Sequence, residues 1–283
     1  MTGRIVCVGD VMVDVLAQLP GPLNVASDTP AEIAFAPGGS GANTAAWLAW
    51  LGAPTTFAGR VGDDPFGAEA VAALRRLGVL TRVAIDFDRA TGVCLVLVDP
   101  SGERTMVPSA GANAALTPAD LTGLPAADDH LHLSGYSLLN EGSRAAALAV
   151  LAAARSVSVD AASAAPLRAV GTETFLSWLP PGTLLLANAD ELAALGGDPV
   201  ALAGRGLTLV VKDGPAGARI ADRNGLRTVA TTPVAVRDST GAGDAFAAGL
   251  LAARHAGASL DEAVAAGNRT GARALATLGG RPG

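Results

Sequence analysis

Aromatic side chains are scarce in this chain: three Trp, one Tyr and six Phe, 4% of its 283 residues. A core of the size this length allows must therefore be built mainly from Ala, Val and Leu. Cysteine is nearly absent. Cys7 and Cys94 both lie in apolar, strand-like runs, so a disulfide framework is excluded and both thiols are expected to be buried and reduced. Histidine is as sparse. His130 and His132 alternate along one strand, but no carboxylate or third histidine joins them, and a zinc site is rejected. A nucleophile elbow of the G-x-S-x-G type is missing, which excludes the hydrolase reading. Lys and Arg form no cluster, and the net charge of −6 argues against a nucleic-acid or anionic-membrane partner. Apolar helical stretches are interrupted by Arg, Glu or Gly well before a membrane-spanning length. The first strand follows Met1-Thr2-Gly3-Arg4 directly, so no signal peptide is expected, and the reading is of a cytoplasmic protein.

Half of the residues are apolar, and their arrangement is regular. Strand-like runs at Ile5 to Val8, Thr55 to Ala58, Leu131 to Leu133, Ser156 to Val159, Leu184 to Leu186 and Leu207 to Val211 alternate with helical segments. The helices are expected at Ala42 to Leu51, Pro65 to Leu77, Ser143 to Ala154, Thr172 to Trp178 and Ala189 to Leu195. Such alternation predicts a mainly parallel sheet with helices on both faces, a three-layer α/β/α core. Two stretches break the rhythm. Val11 to Leu19 with Glu32 to Ala36, and Thr91 to Val98 with Arg104 to Val107 around the turn Asp99-Pro100-Ser101-Gly102, supply four short strands with no helix between them. They predict a small second sheet, inserted at about 11–36 and 91–108 of a single domain, lying over the core as a lid or against a partner subunit.

The richest segment is Asp238-Ser239-Thr240-Gly241-Ala242-Gly243-Asp244-Ala245-Phe246. It follows a β-like stretch, Thr228 to Val236, and opens an Ala-rich helix, Ala245 to His255. Glycines allow close approach of backbone N–H groups, and a helix N-terminus suits an anion. A carboxylate at the same point adds a base, so the run suggests phosphoryl transfer to a hydroxyl with Asp244 taking the proton. Pro37-Gly38-Gly39-Ser40-Gly41-Ala42-Asn43 is a second glycine-rich loop opening a helix, neither a Walker A loop nor a dinucleotide fingerprint. Asn43, one turn inside, is placed to bind substrate hydroxyls. Asp10 and Asp14 bracket the end of the first strand, where ligands bind in open α/β sheets; either could contact sugar hydroxyls or remain a solvated loop acid. Asp64 reads as the N-cap of a helix beginning at Pro65. Asn188 or Asp190 caps the next helix with Glu191 in its first turn, or these residues organise Mg²⁺ through water. Lys212 precedes a tight turn, Gly214 to Gly217, which reads as a hairpin with a nucleotide contact at Lys212.

These residues carry a resemblance to the ribokinase-like, PfkB-type sugar kinases. Gly38-Gly39-Ser40-Gly41-Ala42-Asn43 with Gly52 and Gly62 is similar to one family signature, and Asp238 through Leu250 to the other. The likeness extends over nearly the whole chain, the four-strand lid included. It implies an ATP-dependent kinase acting on a hydroxymethyl group. Asp244 is then the catalytic base, and the N–H groups of Gly241, Ala242 and Gly243 form the anion hole. Asp14, Gly39 and Asn43 match sugar-hydroxyl contacts, with Gly38 and Tyr136 on the same side; Arg104, on the second strand of the lid hairpin, either reaches a substrate oxygen or carboxylate or is a solvated edge-strand charge. Asn188, Lys212, Gly214, Gly217 and Asn268 fall on the nucleotide side. Glu191 organises Mg²⁺ indirectly. Many members also bind K⁺ beside the anion hole; Asp238 and Thr240 match part of such a site, and the stretch Ala274 to Arg281, including Gly279 and Gly280, is expected to complete it. Lid strands of this family often pair across a homodimer. Ribokinase carries a glutamate ligand where this chain reads Leu133-Ser134-Gly135-Tyr136-Ser137, a departure that weighs against ribose. Ketoses, other pentoses, sugar acids and nucleosides stay open as acceptors. A nucleoside would need a stacking surface, for which Phe35, Phe87 and Tyr136 are available; a non-catalytic sugar or nucleotide binder on the same scaffold is the reading of another class.

Overall fold

The computed structural model describes residues 3–100, 104–277 and 279–282. Thirteen strands make two sheets: β1 (Ile5–Val8), β2 (Met12–Gln18), β3 (Glu32–Gly38), β4 (Thr55–Gly62), β5 (Leu80–Asp86), β6 (Gly92–Val98), β7 (Arg104–Ser109), β8 (His130–Ser134), β9 (Val157–Asp160), β10 (Leu184–Asn188), β11 (Thr208–Lys212), β12 (Ala218–Asp222) and β13 (Gly225–Val229). The larger has the order β13-β12-β11-β10-β9-β8-β1-β4-β5, parallel from β11 through β5, with β12 and β13 added as an antiparallel meander. Its parallel core reads as short continuous apolar runs because both faces are covered. Alternate side chains of β1 divide between two clusters. Val6 and Val8 pack with Leu131, Leu133 and Phe175 on one face, and Ile5 and Cys7 with Trp47, Phe57 and Phe246 on the other.

The helices Ser40–Trp50, Pro65–Arg76, Ala242–His255 and Leu260–Leu275 cover the second face. Ala-rich contact faces let them lie close to the sheet, which is how a core poor in aromatics fills its volume. Asp64 does cap Pro65–Arg76, accepting from Gly67 N–H at 2.8 Å. The same carboxylate accepts from Thr91 N–H and Oγ at 2.7 Å, pinning one end of the lid insertion to the core. Asn113 pins another, receiving Val11 N–H and donating to the Val11 carbonyl, both at 3.0 Å.

The smaller sheet has the order β3-β2-β6-β7, the four-strand lid expected from the two interruptions. The turn residues Ser101 and Gly102 lie outside the described residues. Cys7 and Cys94 are both buried and unpaired. The ring nitrogens of His130 and His132 meet the hydroxyls of Ser156 and Ser158, and burial, the larger cause, lowers their pKa values to about 3 and about 4. One expectation is corrected. The β-like stretch before the glycine run ends at Val229, and residues 230–236 carry no regular structure. Pro233 has no N–H to donate to a ladder, so the strand pairing stops ahead of it. No helix among the described residues is long and apolar enough to cross a membrane.

Candidate active site

The parallel strands end on polar residues along one edge of the sheet: Asp10 just beyond β1, Ser134 on β8, Asp160 on β9, Asn188 on β10 and Lys212 on β11. β1 sits where the chain reverses its direction of sheet growth, with β4 on one side and β8 on the other, the position at which open α/β sheets bind ligands.

At this edge the two glycine-rich segments meet. Asp244 lies in the first turn of Ala242–His255. Ser40 Oγ donates to its Oδ1 at 2.8 Å and Asn43 Nδ2 to its Oδ2 at 3.1 Å. Burial and the nearby Asp160 and Asp10 carboxylates push its pKa up to about 7, against the pull of the Ser40 and Asn43 hydrogen bonds. An acid poised near neutrality suits a general base. Gly241 adopts φ 68, and a Cβ there would fall 2.6 Å from Gly280 Cα, so the helix entry and the C-terminal Gly279-Gly280 turn pack backbone to backbone. Ala242 N–H points to the Ser239 carbonyl at 3.3 Å, a long bond. Lys212 Nζ lies 3.2 Å from the place a Gly243 Cβ would take, which puts an ammonium beside the helix N-terminus.

On the lid side Asp14 projects from β2 against Gly38, where a Cβ would meet its Oδ1 at 2.2 Å. Burial, helped by Asp10, raises the Asp14 pKa to about 6, opposed by the Arg281 and Arg104 guanidinium groups. Arg281 threads between the two elements. Its Nε donates to Asn43 Oδ1 at 3.1 Å and its Nη2 to the Gly38 carbonyl at 3.0 Å. Burial lowers the Arg281 pKa to about 10, opposed by Asp14 and Asp244. Arg281 is expected from the sequence only as the end of the stretch completing a potassium site, and its position between Asn43 and Gly38 has no signal there beyond a cation directly after Gly279-Gly280. Ser40 is assigned no role of its own by the sequence, although its hydroxyl stands at the opening of a glycine-rich helix. Asp10, taken as a possible sugar contact, instead accepts from Ser40 N–H at 2.9 Å, Gly41 N–H at 3.4 Å and Ser134 Oγ at 2.9 Å. It anchors the N-terminus of Ser40–Trp50 to β8. Tyr136, 39% exposed, stands at the same edge; burial, then the Asp10, Asp244 and Asp160 charges, raise its phenol pKa.

On the side expected to take the nucleotide, Asn188 caps Ala189–Ala194 in a reciprocal box with Glu191. Glu191 N–H donates to Asn188 Oδ1 at 2.9 Å, and Asn188 N–H and Nδ2 each donate to the Glu191 carboxylate at 2.8 Å. Lys212 donates to Asp160 at 2.8 Å. Burial and the Asp160 charge raise the Glu191 pKa, with Lys212 opposing. Burial works against the Lys212 charge, but Asp160 and Glu191 outweigh it and its pKa is raised. The oxygens of both carboxylates already accept from Ala162 N–H, Lys212 and Asn188, so the pair suits a divalent cation held through its waters and not by direct ligation. Asp160 had no signal of its own in the sequence. Gly214 and Gly217 form the β11–β12 turn, with φ 58 and φ 94. A Cβ on Gly217 would meet the Val229 carbonyl at 2.3 Å, and Asn268 donates to that carbonyl at 3.1 Å and to Ala230's at 3.3 Å. These two residues thus converge on the start of the segment leading to the glycine run.

The expected K⁺ ligands are otherwise engaged. Asp238 Oδ1 accepts from Thr240 N–H at 2.6 Å and from Arg104 Nη2, and its Oδ2 accepts from Gly279 N–H at 2.9 Å. Thr240 Oγ accepts from Arg104 Nη1, and the Gly280 carbonyl accepts from Trp47 Nε1 at 3.0 Å. The Arg104 guanidinium group already sits on the Asp238 and Thr240 oxygens, and its charge leaves this donor set unfit for a potassium ion beside it.

The pfkB family carbohydrate kinase model matches residues 2–282. The fructokinase of Klebsiella pneumoniae is 33% identical over 89% of this chain and 84% of its own length. The ATP-dependent ribose-1-phosphate kinase of Halopiger xanaduensis is 34% identical over 86% of this chain and 82% of its own. The fructokinase of Vibrio cholerae, solved in a fructose, ADP and calcium ion bound form, superimposes with a TM-score of 0.78 at 26% identity, covering 98% of this chain and 94% of that one. Matched over nearly its whole length, the chain belongs to the pfkB family of carbohydrate kinases.

Proposed function

We propose that this single-domain, cytoplasmic kinase, with its lid at about 11–36 and 91–108, transfers the γ-phosphoryl group of ATP to a hydroxymethyl group of a small sugar. The observation that carries the reading is Asp244, held by Ser40 and Asn43 at a helix N-terminus with a pKa near 7. Asp244 takes the hydroxyl proton as that oxygen forms its bond to the γ-phosphorus, and the bond from phosphorus to the bridging oxygen breaks to release ADP. The N–H groups at Gly241, Ala242 and Gly243 receive the charge on the transferring group, Ala242 by giving up its long bond to the Ser239 carbonyl, and Lys212 beside Gly243 adds a fixed positive charge. Asp14 and Asn43, backed by Gly38 and Gly39, bind acceptor hydroxyls; Arg281 fixes the Asn43 amide so that its N–H₂ faces Asp244. Asp160, Glu191 and Asn188 would hold a hydrated Mg²⁺, which when bound would neutralise charge on the nucleotide phosphates.

Lid strands pairing across a homodimer is part of the same reading. Phe35, Val15, Leu95 and Val107 are in register across β3, β2, β6 and β7, and Phe35, Leu95 and Val107 are exposed, an apolar row that sedimentation would find paired. A second reading, a nucleoside kinase, draws on the partly exposed Tyr136 ring as a stacking surface. Coupled ADP release over fructose, other ketoses, ribose, ribose 1-phosphate, 2-keto-3-deoxygluconate, adenosine and pseudouridine separates the acceptors. Asp244→Ala should keep nucleotide binding and lose about 10²–10⁴-fold in turnover. Near-normal turnover by that variant would sink the assignment, and tight binding of one acceptor with no turnover of any would leave a binder.

A further inference from the structure

Arg104 joins two parts of the molecule that share no sheet. It begins β7 in the lid, paired with Val98 of β6, yet its guanidinium group ends on the loop that precedes the anion-binding helix. There Nη2 meets Asp238 Oδ1 and Nη1 meets Thr240 Oγ. The pair is largely shielded, with side-chain exposures of 15% for Arg104 and 2% for Asp238. Among the described residues Arg104 Nε is buried without a partner, and the two contacts to Asp238 and Thr240 hold the end of the side chain. The loop is tightly determined around the same carboxylate: Thr240 N–H and Gly279 N–H both donate to Asp238, and Gly241 follows with its backbone against Gly280. Asp238 is held below the ordinary aspartate value; burial opposes this, and the Gly279, Thr240 and Arg104 hydrogen bonds outweigh it.

A potassium ion gives up its hydration only to several convergent oxygen atoms. Here both oxygens of Asp238 already accept hydrogen bonds, the Thr240 hydroxyl accepts from Arg104, and the Gly280 carbonyl accepts from the Trp47 indole. An arginine is charged at every working pH and offers a planar fork of donors. We propose that Arg104 takes the place of the monovalent cation. The lid carries a fixed positive charge to Asp238, which holds Thr240 and the helix entry in register, and turnover needs no potassium. Arg104 acts as a positioning residue, reaching the reacting atoms only through Asp238 and Thr240. Burial raises the Asp14 pKa, and Arg104, after Arg281, opposes that rise from across the cleft.

The test compares potassium chloride with sodium and tetramethylammonium chlorides at matched ionic strength. Ligand binding to the folded state alone raises the melting temperature, so the wild-type melting temperature should be the same in all three salts. That measurement needs no acceptor, and it stays readable even if no sugar in the panel is phosphorylated, which would instead count against the kinase reading. With an acceptor in hand, wild-type kcat/KM should agree within about twofold across the salts, while Arg104→Ala should fall about a hundredfold, on the scale of losing one preorganised electrostatic group. Arg104→Ala should also gain a potassium-specific rise in melting temperature and partial rescue of kcat by K⁺, effects that loss of packing alone would not produce. A potassium-specific rise in the wild-type melting temperature, potassium activation of the wild-type enzyme by about tenfold or more, or wild-type turnover by Arg104→Ala would overturn the proposal. The wild-type arms decide the matter if Arg104→Ala does not fold.

Discussion

Asp244 is expected to weaken the fold that presents it, and the effect has a characteristic pH dependence. Its folded-state pKa of about 7 stands against 3.8 for a free aspartate. At ~1.4 kcal/mol per pH unit this difference amounts to a ceiling of about 4 kcal/mol. The folded protein binds the proton more tightly than the unfolded chain does. The contribution of this site to stability is therefore fully present below about pH 4 and is lost progressively as pH rises through about 7. Asp244→Asn removes the titration. Its side-chain oxygen still accepts from Ser40, but its amide faces the Asn43 amide, and one hydrogen bond worth about 1 kcal/mol is lost. Because Asp244 keeps partial contact with solvent, the full ceiling is not expected. The variant should be about 2 kcal/mol more stable than wild type at pH 8 and about 1 kcal/mol less stable near pH 4. Urea denaturation of both proteins from pH 4 to pH 8 measures the gap, and turnover of Asp244→Asn should be lost throughout. A stability gap that stays flat across that range, or that shrinks as pH rises, would refute the placement of this carboxylate in a desolvated, negatively charged setting.

Three further outcomes follow from the same geometry. The pH profile of kcat/KM should show an acid limb near pH 7 set by Asp244; Ser40→Ala removes a hydrogen bond to its ionised form and should move that limb up by about one unit. Gly280→Ala would bring a Cβ within 2.6 Å of Asn43 Nδ2, and it should lower kcat by displacing the Asn43 amide while leaving nucleotide affinity, measured by calorimetry, unchanged. Lys212→Met leaves Asp160 and Glu191 facing each other without their cation, and chemical denaturation at pH 8 should show a loss of about 3–5 kcal/mol, the scale for breaking a buried pair.

Much of this molecule is written in local pattern. Short β-branched runs, helices opened by Asp64-Pro65 or Asn188, and the turn at Gly214 to Gly217 each follow from backbone preference and hydrogen bonding within a few residues. Edges with no such marker went unread. β5 is an exposed-edge strand, Leu80-Thr-Arg-Val-Ala-Ile-Asp, whose pattern is blurred by polar residues. The helix Leu260–Leu275 does open on a Ser259–Glu262 capping box, a signal that was present and passed over.

The sequence by itself determined the chemistry: a glycine run delivering Asp244 to a helix N-terminus, a second glycine loop with Asn43, and a lid that interrupts the βα rhythm. Each of these is a short-range statement about which backbone conformations and which donors a few neighbouring residues can offer. Only the tertiary structure decided what surrounds them. Ser40 meets Asp244 across 204 residues, Asp160 meets Lys212 across 52, and Arg104 meets Asp238 across 134. Those meetings set the pKa of Asp244, join the lid to the loop before the helix, and place a guanidinium group on the oxygens expected for potassium. The reason is that charge and desolvation act through space, so they depend on which strand ends the sheet brings side by side, and no local run of residues records that.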